Sequence, residues 1–190
     1  MSSLDNDFNE LIERIRHGRE FGHASFEPIF YLVFHPEQIL DVKRRQFAWE
    51  KRLANDGWDV HTFSIAEEVA DILANAPMRK IWLAADQRAP LAWDKTNKSL
   101  ANAVATGALQ QRLDAKLATL EGKPKSILLV TDLEALHPYT RIGVIEGQLQ
   151  GKFHVPTVFL YPGVRTGKTR LKFLGFYPED GNYRSVHVGG

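Results

Sequence analysis

The feature that most constrains this chain is the alternation of short, nearly unbroken apolar runs with longer amphipathic stretches. Pro28–Phe34, Ser126–Thr131 and Val155–Tyr161 each hold almost no residue that tolerates water on one face. Runs of that length suit strands covered on both sides. Trp58–Phe63 alternates apolar and polar residues, which predicts another strand. Strands separated by helix-length stretches imply crossover connections. A mostly parallel central sheet flanked by helices follows, in one α/β domain spanning residues 1–190.

The intervening segments carry helix signals. Residues 3–17 predict an amphipathic helix, with Ser3 as a cap and Phe8, Leu11, Ile12 and Ile15 on one face. Gly18 and Gly22 bracket a loop, and His35-Pro36 stops the first strand. Residues 37–55 predict a long charged helix with Ile39, Leu40, Phe47 and Leu53 turned inward, ending at the Asp56-Gly57 turn. Ser64 stands where a cap is needed for a helix from Ile65 to Ala74, with Glu67 in capping-box register. Residues 77–96, with Pro77, Pro90, Trp82 and Trp93, suggest a short helix within a loop. Residues 97–121 predict one long helix stopped by Gly122 and Pro124, and Tyr139–Gln150 a further helix.

The end of the chain breaks the alternation. Val155–Tyr161 and Arg170–Phe176 lie too close together for a helical crossover, so they predict an antiparallel hairpin with residues 162–169 as its loop. Residues 183–188 suggest a short terminal strand. Within the loop, Gly163-Val-Arg-Thr-Gly-Lys-Thr169 imitates a phosphate-binding loop. That motif needs four residues between its first Gly and Gly-Lys-Thr, and it must lead from a strand into a helix. Here three residues intervene, and Arg170–Phe176 alternates like a strand. Both spacing and context argue against nucleotide binding there.

Other chemistry is equally sparse. Asp132 ends the Ser126–Thr131 run, where phosphate-loop ATPases hold magnesium, but an aspartate there also caps local backbone. His35, Asp132, Tyr161 and the loop Leu136–Arg141 are expected near the carboxyl ends of the strands, the usual binding edge of such sheets. The seven histidines include no pair at helical i, i+4 spacing. No Gly-x-Ser-x-Gly elbow is present, and the absence of cysteine removes thiol catalysis and thiolate metal sites. Carboxylate pairs distant in sequence stay open. No catalytic, cofactor-binding or metal-ligating residue is assigned. A net charge of +1 argues against a dedicated nucleic-acid binder. With no cysteine, no signal peptide and no long apolar span, a cytoplasmic, non-membrane protein is expected.

The carboxy-terminal segment is locally cationic and aromatic. Arg165, Lys168, Arg170, Lys172 and Arg184 outnumber Glu179 and Asp180, and Phe173, Phe176, Tyr177 and Tyr183 lie among them. Such a segment is either a solvated hairpin or a docking edge for protein or nucleic acid, because arginine and aromatics dominate interface hot spots and also stack on bases. Arg165, Lys168, Arg170, Lys172, Tyr183 and Arg184 are the candidate partner-binding residues.

Tyr161-Pro-Gly163, Gly167, Leu171-Lys-Phe-Leu-Gly-Phe-Tyr-Pro-Glu-Asp-Gly-Asn-Tyr-Arg184 and the closing Gly189-Gly190 together resemble the signature of the BrxB family of bacteriophage-exclusion (BREX) systems. The resemblance extends to Leu136–Arg141, the helix starting at Ile142, and Phe34-His-Pro-Glu37. It implies a phosphate-loop or Rossmann-like core lacking the nucleotide motif. It also implies a non-catalytic adaptor of a defence complex. The partners it suggests are a PglZ-like protein of alkaline-phosphatase fold and a BrxC-like ATPase, with DNA reached only through the complex. The alternative is a nucleotide-binding regulator or enzyme with a site at the carboxyl ends of the strands.

Overall fold

The computed structural model describes residues 4–18, 27–167, 169–181 and 185–190. Its centre is β1 (Ile29–Phe34), buried along its whole length. Parallel partners lie on both sides: β4 (Thr157–Thr166), in register from Ile29↔Thr157 to Phe34↔Pro162, and β7 (Val186–Gly189), from Phe30↔Val186 to Val33↔Gly189. β3 (Ser126–Thr131) continues the sheet beyond β4, and β2 (Asp59–Ser64) forms the far edge, giving the order β2-β3-β4-β1-β7. The predicted mostly parallel sheet is therefore present, and the apolar runs are the strands buried on both faces.

Each face has its own core. On one, α1 (Leu4–Gly18) and α2 (Ile39–Asn55) pack Phe8, Leu11, Ile12, Ile15, Trp49 and Leu53 against Phe30, Leu32, Leu129, Val158 and Leu160. On the other, α3 (Ile65–Asn75), α6 (Ala108–Leu120) and α7 (Ile142–Gln148) cover Ile29, Tyr31, Leu128, Val130, Phe159 and Tyr161. Ser64 caps α3 as predicted, accepting from the Glu67 amide at 3.3 Å.

Four expectations require correction. The single helix over 97–121 is two helices, α5 (Trp93–Ala105) and α6, parted at Gly107, whose φ of +97° cannot be part of a right-handed helix. Residues 77–96 do hold the expected short helix, α4 (Arg79–Arg88), but also the start of α5 at Trp93, where loop was expected. In α2, Leu40 and Phe47 are 64% and 68% exposed, while Val42 and Trp49 point inward. Docking of α1 sets that rotation. Trp49 stacks on Phe8 with ring centres 4.5 Å apart and donates to Asp5 at 3.1 Å, and Arg45 and Arg52 bond Asp5 and Asn9. Finally, the helix over 139–150 is confined to Ile142–Gln148.

The carboxy-terminal hairpin exists, with a shorter loop than predicted. β4 runs unbroken through residues 162–166 and pairs antiparallel with β5 (Arg170–Phe173), from Gly163↔Phe173 to Thr166↔Arg170. β5 in turn pairs with β6 (Glu179–Gly181), an element with no sequence signal. Proline at position 162 is tolerated because β1 ends opposite it, where β4 exchanges its parallel neighbour for an antiparallel one. The terminal strand is β7; residues 183 and 184 of the predicted 183–188 lie outside the described residues.

Glycines close this junction. A Cβ on Gly163 would lie 2.6 Å from the Lys172 carbonyl oxygen. One on Gly189, at φ +79°, would collide with the Val33 carbonyl, and one on Gly190 would lie 2.8 Å from Arg165 Cβ. Gly163→Ala and Gly189→Ala should each lower the unfolding free energy by about 2 kcal/mol. Gly147→Ala, with no atom within 4 Å of its added Cβ, should leave stability unchanged or raised. Urea titrations of the three variants check this.

Candidate functional site

The hairpin distributes the predicted partner-binding residues over two faces. In the antiparallel register Arg165 stands opposite Leu171, which stands opposite Asp180, whereas Val164, Lys172 and Glu179 align on the other face. Leu171 and Phe173 are buried, so the first of these faces turns inward. Arg165 is half-buried there, donating from Nε to the Gly167 carbonyl at 3.3 Å. Arg170 and Lys172 share the outer face, and Glu179 pairs with Arg170 at 3.4 Å. Lys168, Tyr183 and Arg184 lie outside the described residues. The first four residues of the glycine motif, Gly163–Thr166, belong to β4, and strand β5, not a helix, begins at Arg170 after it.

The group expected at the carboxyl ends of the strands is divided between the two faces. Asp132 adopts φ +59° and accepts from Lys43 Nζ at 2.5 Å, Ser64 Oγ at 2.7 Å and Thr131 Oγ1 at 2.8 Å. Lys43 also meets Glu134 at 2.7 Å. Burial acts to raise the Asp132 pKa, but the hydrogen bonds from Lys43, Ser64 and Thr131 outweigh it and hold the carboxyl below its ordinary value. Asp132 thus ties α2, β2 and β3 together. His35 caps the turn Pro36–Gln38, its Nδ1 accepting from the Glu37 amide at 3.4 Å. No cluster of histidine and carboxylate groups suited to a metal occurs among the described residues.

Tyr161 belongs instead to a cavity of about 350 Å³ on the opposite face, between α7 and the β5–β6 ribbon. Its aromatic wall is Tyr31, Tyr161 and Phe173, with Tyr31–Tyr161 ring centres 5.5 Å apart and Tyr161–Phe173 centres 5.6 Å apart. Tyr31 donates a hydrogen bond to Glu146, which is only 8% exposed. At the rim, Arg141 pairs with Asp180 at 2.9 Å. Burial, reinforced by the Asp180 charge, pushes the Tyr161 pKa up, so its hydroxyl stays protonated. Glu27 closes the floor, accepting from the Gly151 amide at 2.6 Å. Opposite the rings, α7 presents Gly143 and Gly147, one turn apart. Sequence alone hides this site, because Tyr31 and Glu146 are 115 residues apart. The local trace was the Gly-x-x-x-Gly spacing in a short helix.

A different surface is formed by α4 and the start of α5. These helices lengthen the β2-to-β3 crossover, for which α3 and α6 already supply the core contacts. Met78, Ile81, Leu83, Leu91 and Trp93 are all exposed, Leu91 to 92%. Around them Arg79, Lys80, Arg88, Lys95 and Lys98 are exposed and form no ion pair among the described residues. By contrast, Arg112 of α6 holds both Glu68 and Asp71, at 2.7 and 2.6 Å.

His187 in β7 is 6% exposed, its ring centre 5.4 Å from that of Tyr31. Nε2 lies 2.9 Å from Ser185 Oγ, and Nδ1 has no partner among the described residues. Burial, then the nearby Arg165 charge, lowers its pKa from 6.5 to about 4. The unfolded chain therefore binds this proton first as pH falls. The stability this group confers is complete above pH 6.5 and declines toward pH 4, by up to about 2 kcal/mol. The depressed carboxyl of Asp132 acts in a lower window, losing its contribution below pH 3.8. Denaturant titrations from pH 7.5 to 4.5 should show the decline in the parent chain and a shallower slope in His187→Gln.

A protein-family model described as BREX protein BrxB matches residues 62–188, from within β2 through β7. The match takes in the α4–α5 surface, the ribbon and most of the cavity; His35–Glu37 and α2 precede it. No curated protein and no solved structure matches the chain.

Proposed function

The chain belongs to the BrxB family and so to the components of BREX phage defence, and on that premise we propose that it is a non-catalytic, cytoplasmic adaptor holding other defence subunits together. The partners proposed are the PglZ-like protein of alkaline-phosphatase fold and the BrxC-like ATPase of the same system, with DNA reached only through the complex. The observation that carries this role is the α4–α5 surface. Five exposed large apolar side chains stand beside five exposed cations that pair with nothing among the described residues. Apolar anchors within a charged rim are what a protein interface requires. The aliphatic character of Met78, Ile81, Leu83 and Leu91 favours a protein over a nucleic acid, which would offer phosphates and base faces instead. The outer ribbon face, with Arg170 and Lys172, is proposed as a second docking surface, in keeping with a bridging role.

Nucleotide chemistry has less support. The glycine loop turns a ribbon, and Asp132 is engaged by Lys43, Ser64 and Thr131. Among the described residues, the cavity lining carries more carboxylates than cations, which does not favour a triphosphate there.

Co-expression with each operon neighbour, followed by size-exclusion chromatography at micromolar concentration, tests the adaptor role. Co-elution with one partner is expected. The triple change Arg79→Glu, Lys80→Glu and Arg88→Glu should weaken that complex at least tenfold and leave the melting temperature nearly unchanged, because all three side chains are exposed. Absence of co-elution with every neighbour would count decisively against an adaptor.

A further inference from the structure

α4 is a helix that its own domain scarcely covers. Of the residues Arg79–Arg88 only Trp82 is buried, anchored on α5 through its indole N–H, which donates to Ser99 Oγ at 2.8 Å. Helices this short draw most of their stability from the face they bury, and here that face is one side chain wide. Charge does not make up the difference. No side chain caps the helix at Met78, and Arg79 and Lys80 occupy its first turn, where positive charge opposes the helix dipole. Between Ala76 and Gly107 five cations stand against two carboxylates, in a chain whose net charge is only +1. Folding of the helix itself therefore does not account for Arg79 and Lys80.

The order of side chains around α4 gives the shape of what would cover it. At about 100° per residue, Ile81 and Leu83 fall on opposite flanks of the buried Trp82. They are 58% and 50% exposed. Lys80, Ala84, Gln87 and Arg88 lie farther round, on the side away from Trp82, and all four are exposed. A flat surface laid on one flank would leave the other in water. A cleft that receives the helix covers both, with aliphatic walls against Ile81 and Leu83. The same cleft takes Lys80 and Arg88 out of water, which is costly for a cation unless a carboxylate meets it. Its floor must then be acidic. Isologous pairing of α4 with α4 of a second copy would set like charges against each other. A nucleic acid supplies anions without aliphatic walls.

We propose that α4 is a ligand helix, inserted into a cleft of a partner protein that has aliphatic walls and a floor of aspartate or glutamate. This rests on the reading of the α4–α5 surface as a docking surface. It adds which side supplies the helix and which charge receives it, and helix-in-groove recognition of this kind needs only the few side chains named.

The chain has no cysteine, so single substitutions report accessibility at one position each. Ile81→Cys and Leu83→Cys probe the two flanks, and Ala118→Cys, on the exposed side of α6, is the control. Each full-length variant is incubated with the defence subunit that co-elutes with the parent chain, then treated with a maleimide. Both flank positions should label at least tenfold more slowly in the complex, and position 118 at an unchanged rate. A flank variant that keeps its melting temperature but no longer co-elutes also places that residue in the interface. Raising sodium chloride from about 50 mM to about 500 mM should weaken the complex at least tenfold, since added salt screens the attraction between helix and floor. Anisotropy of fluorescein attached to Ala118→Cys reads that change. Protection of one flank only, or of neither, would overturn the proposal and leave the adaptor role standing. A complex indifferent to salt would do the same. If no subunit co-elutes with the parent chain, the adaptor role and this inference fall together.

Discussion

The strand pairing of β1 is the interaction on which the structure depends. β1 hydrogen-bonds in parallel to β4 on one side and β7 on the other, and it supplies the central side chains of both cores. Tyr31 and Val33 belong to the face covered by α3, α6 and α7, and Phe30, Leu32 and Phe34 to the face covered by α1 and α2. Parallel strands require crossovers, so this one pairing brings residues near position 30 against residues near 160 and near 187. Gly189 and Gly190 are small because the chain's last strand must end flush against Val33 and Arg165.

The sheet was readable from sequence because its strands are apolar on both faces, a pattern that few other local structures produce. β3 was placed to the residue, and α1 showed its buried face directly through Phe8, Leu11, Ile12 and Ile15. The α2 register was not readable in the same way. Leu40 and Phe47 form one apolar stripe and Val42 and Trp49 another, and the choice is made by α1, through Phe8 and Asp5. Gly107 was hidden in a run of good helix formers, and its left-handed backbone becomes visible only in three dimensions. β6 is too short and too polar to announce itself; it exists because β5 offers it an edge.

The candidate sites follow the same division. Local sequence located the ribbon and argued against a phosphate loop, since both depend on residues close together in the chain. It placed Tyr161 and Asp132 at one end of the sheet but not on opposite faces. It could not assemble Tyr31, Glu146, Arg141 and Asp180 into a cavity, because three separate crossovers and a strand exchange bring them there. The Asp132 position is instructive in another respect. A carboxylate that could have served a metal is held by an ammonium and two hydroxyls, so the sheet keeps the position and uses it as a fastener.

β4 is one continuous rod from the middle of the sheet to the tip of the ribbon, and β5 carries Leu171 and Phe173 from that ribbon into the cavity wall. A load applied to the exposed end would therefore run along one unbroken strand, past Pro162 where the parallel neighbour stops, into the centre of the sheet.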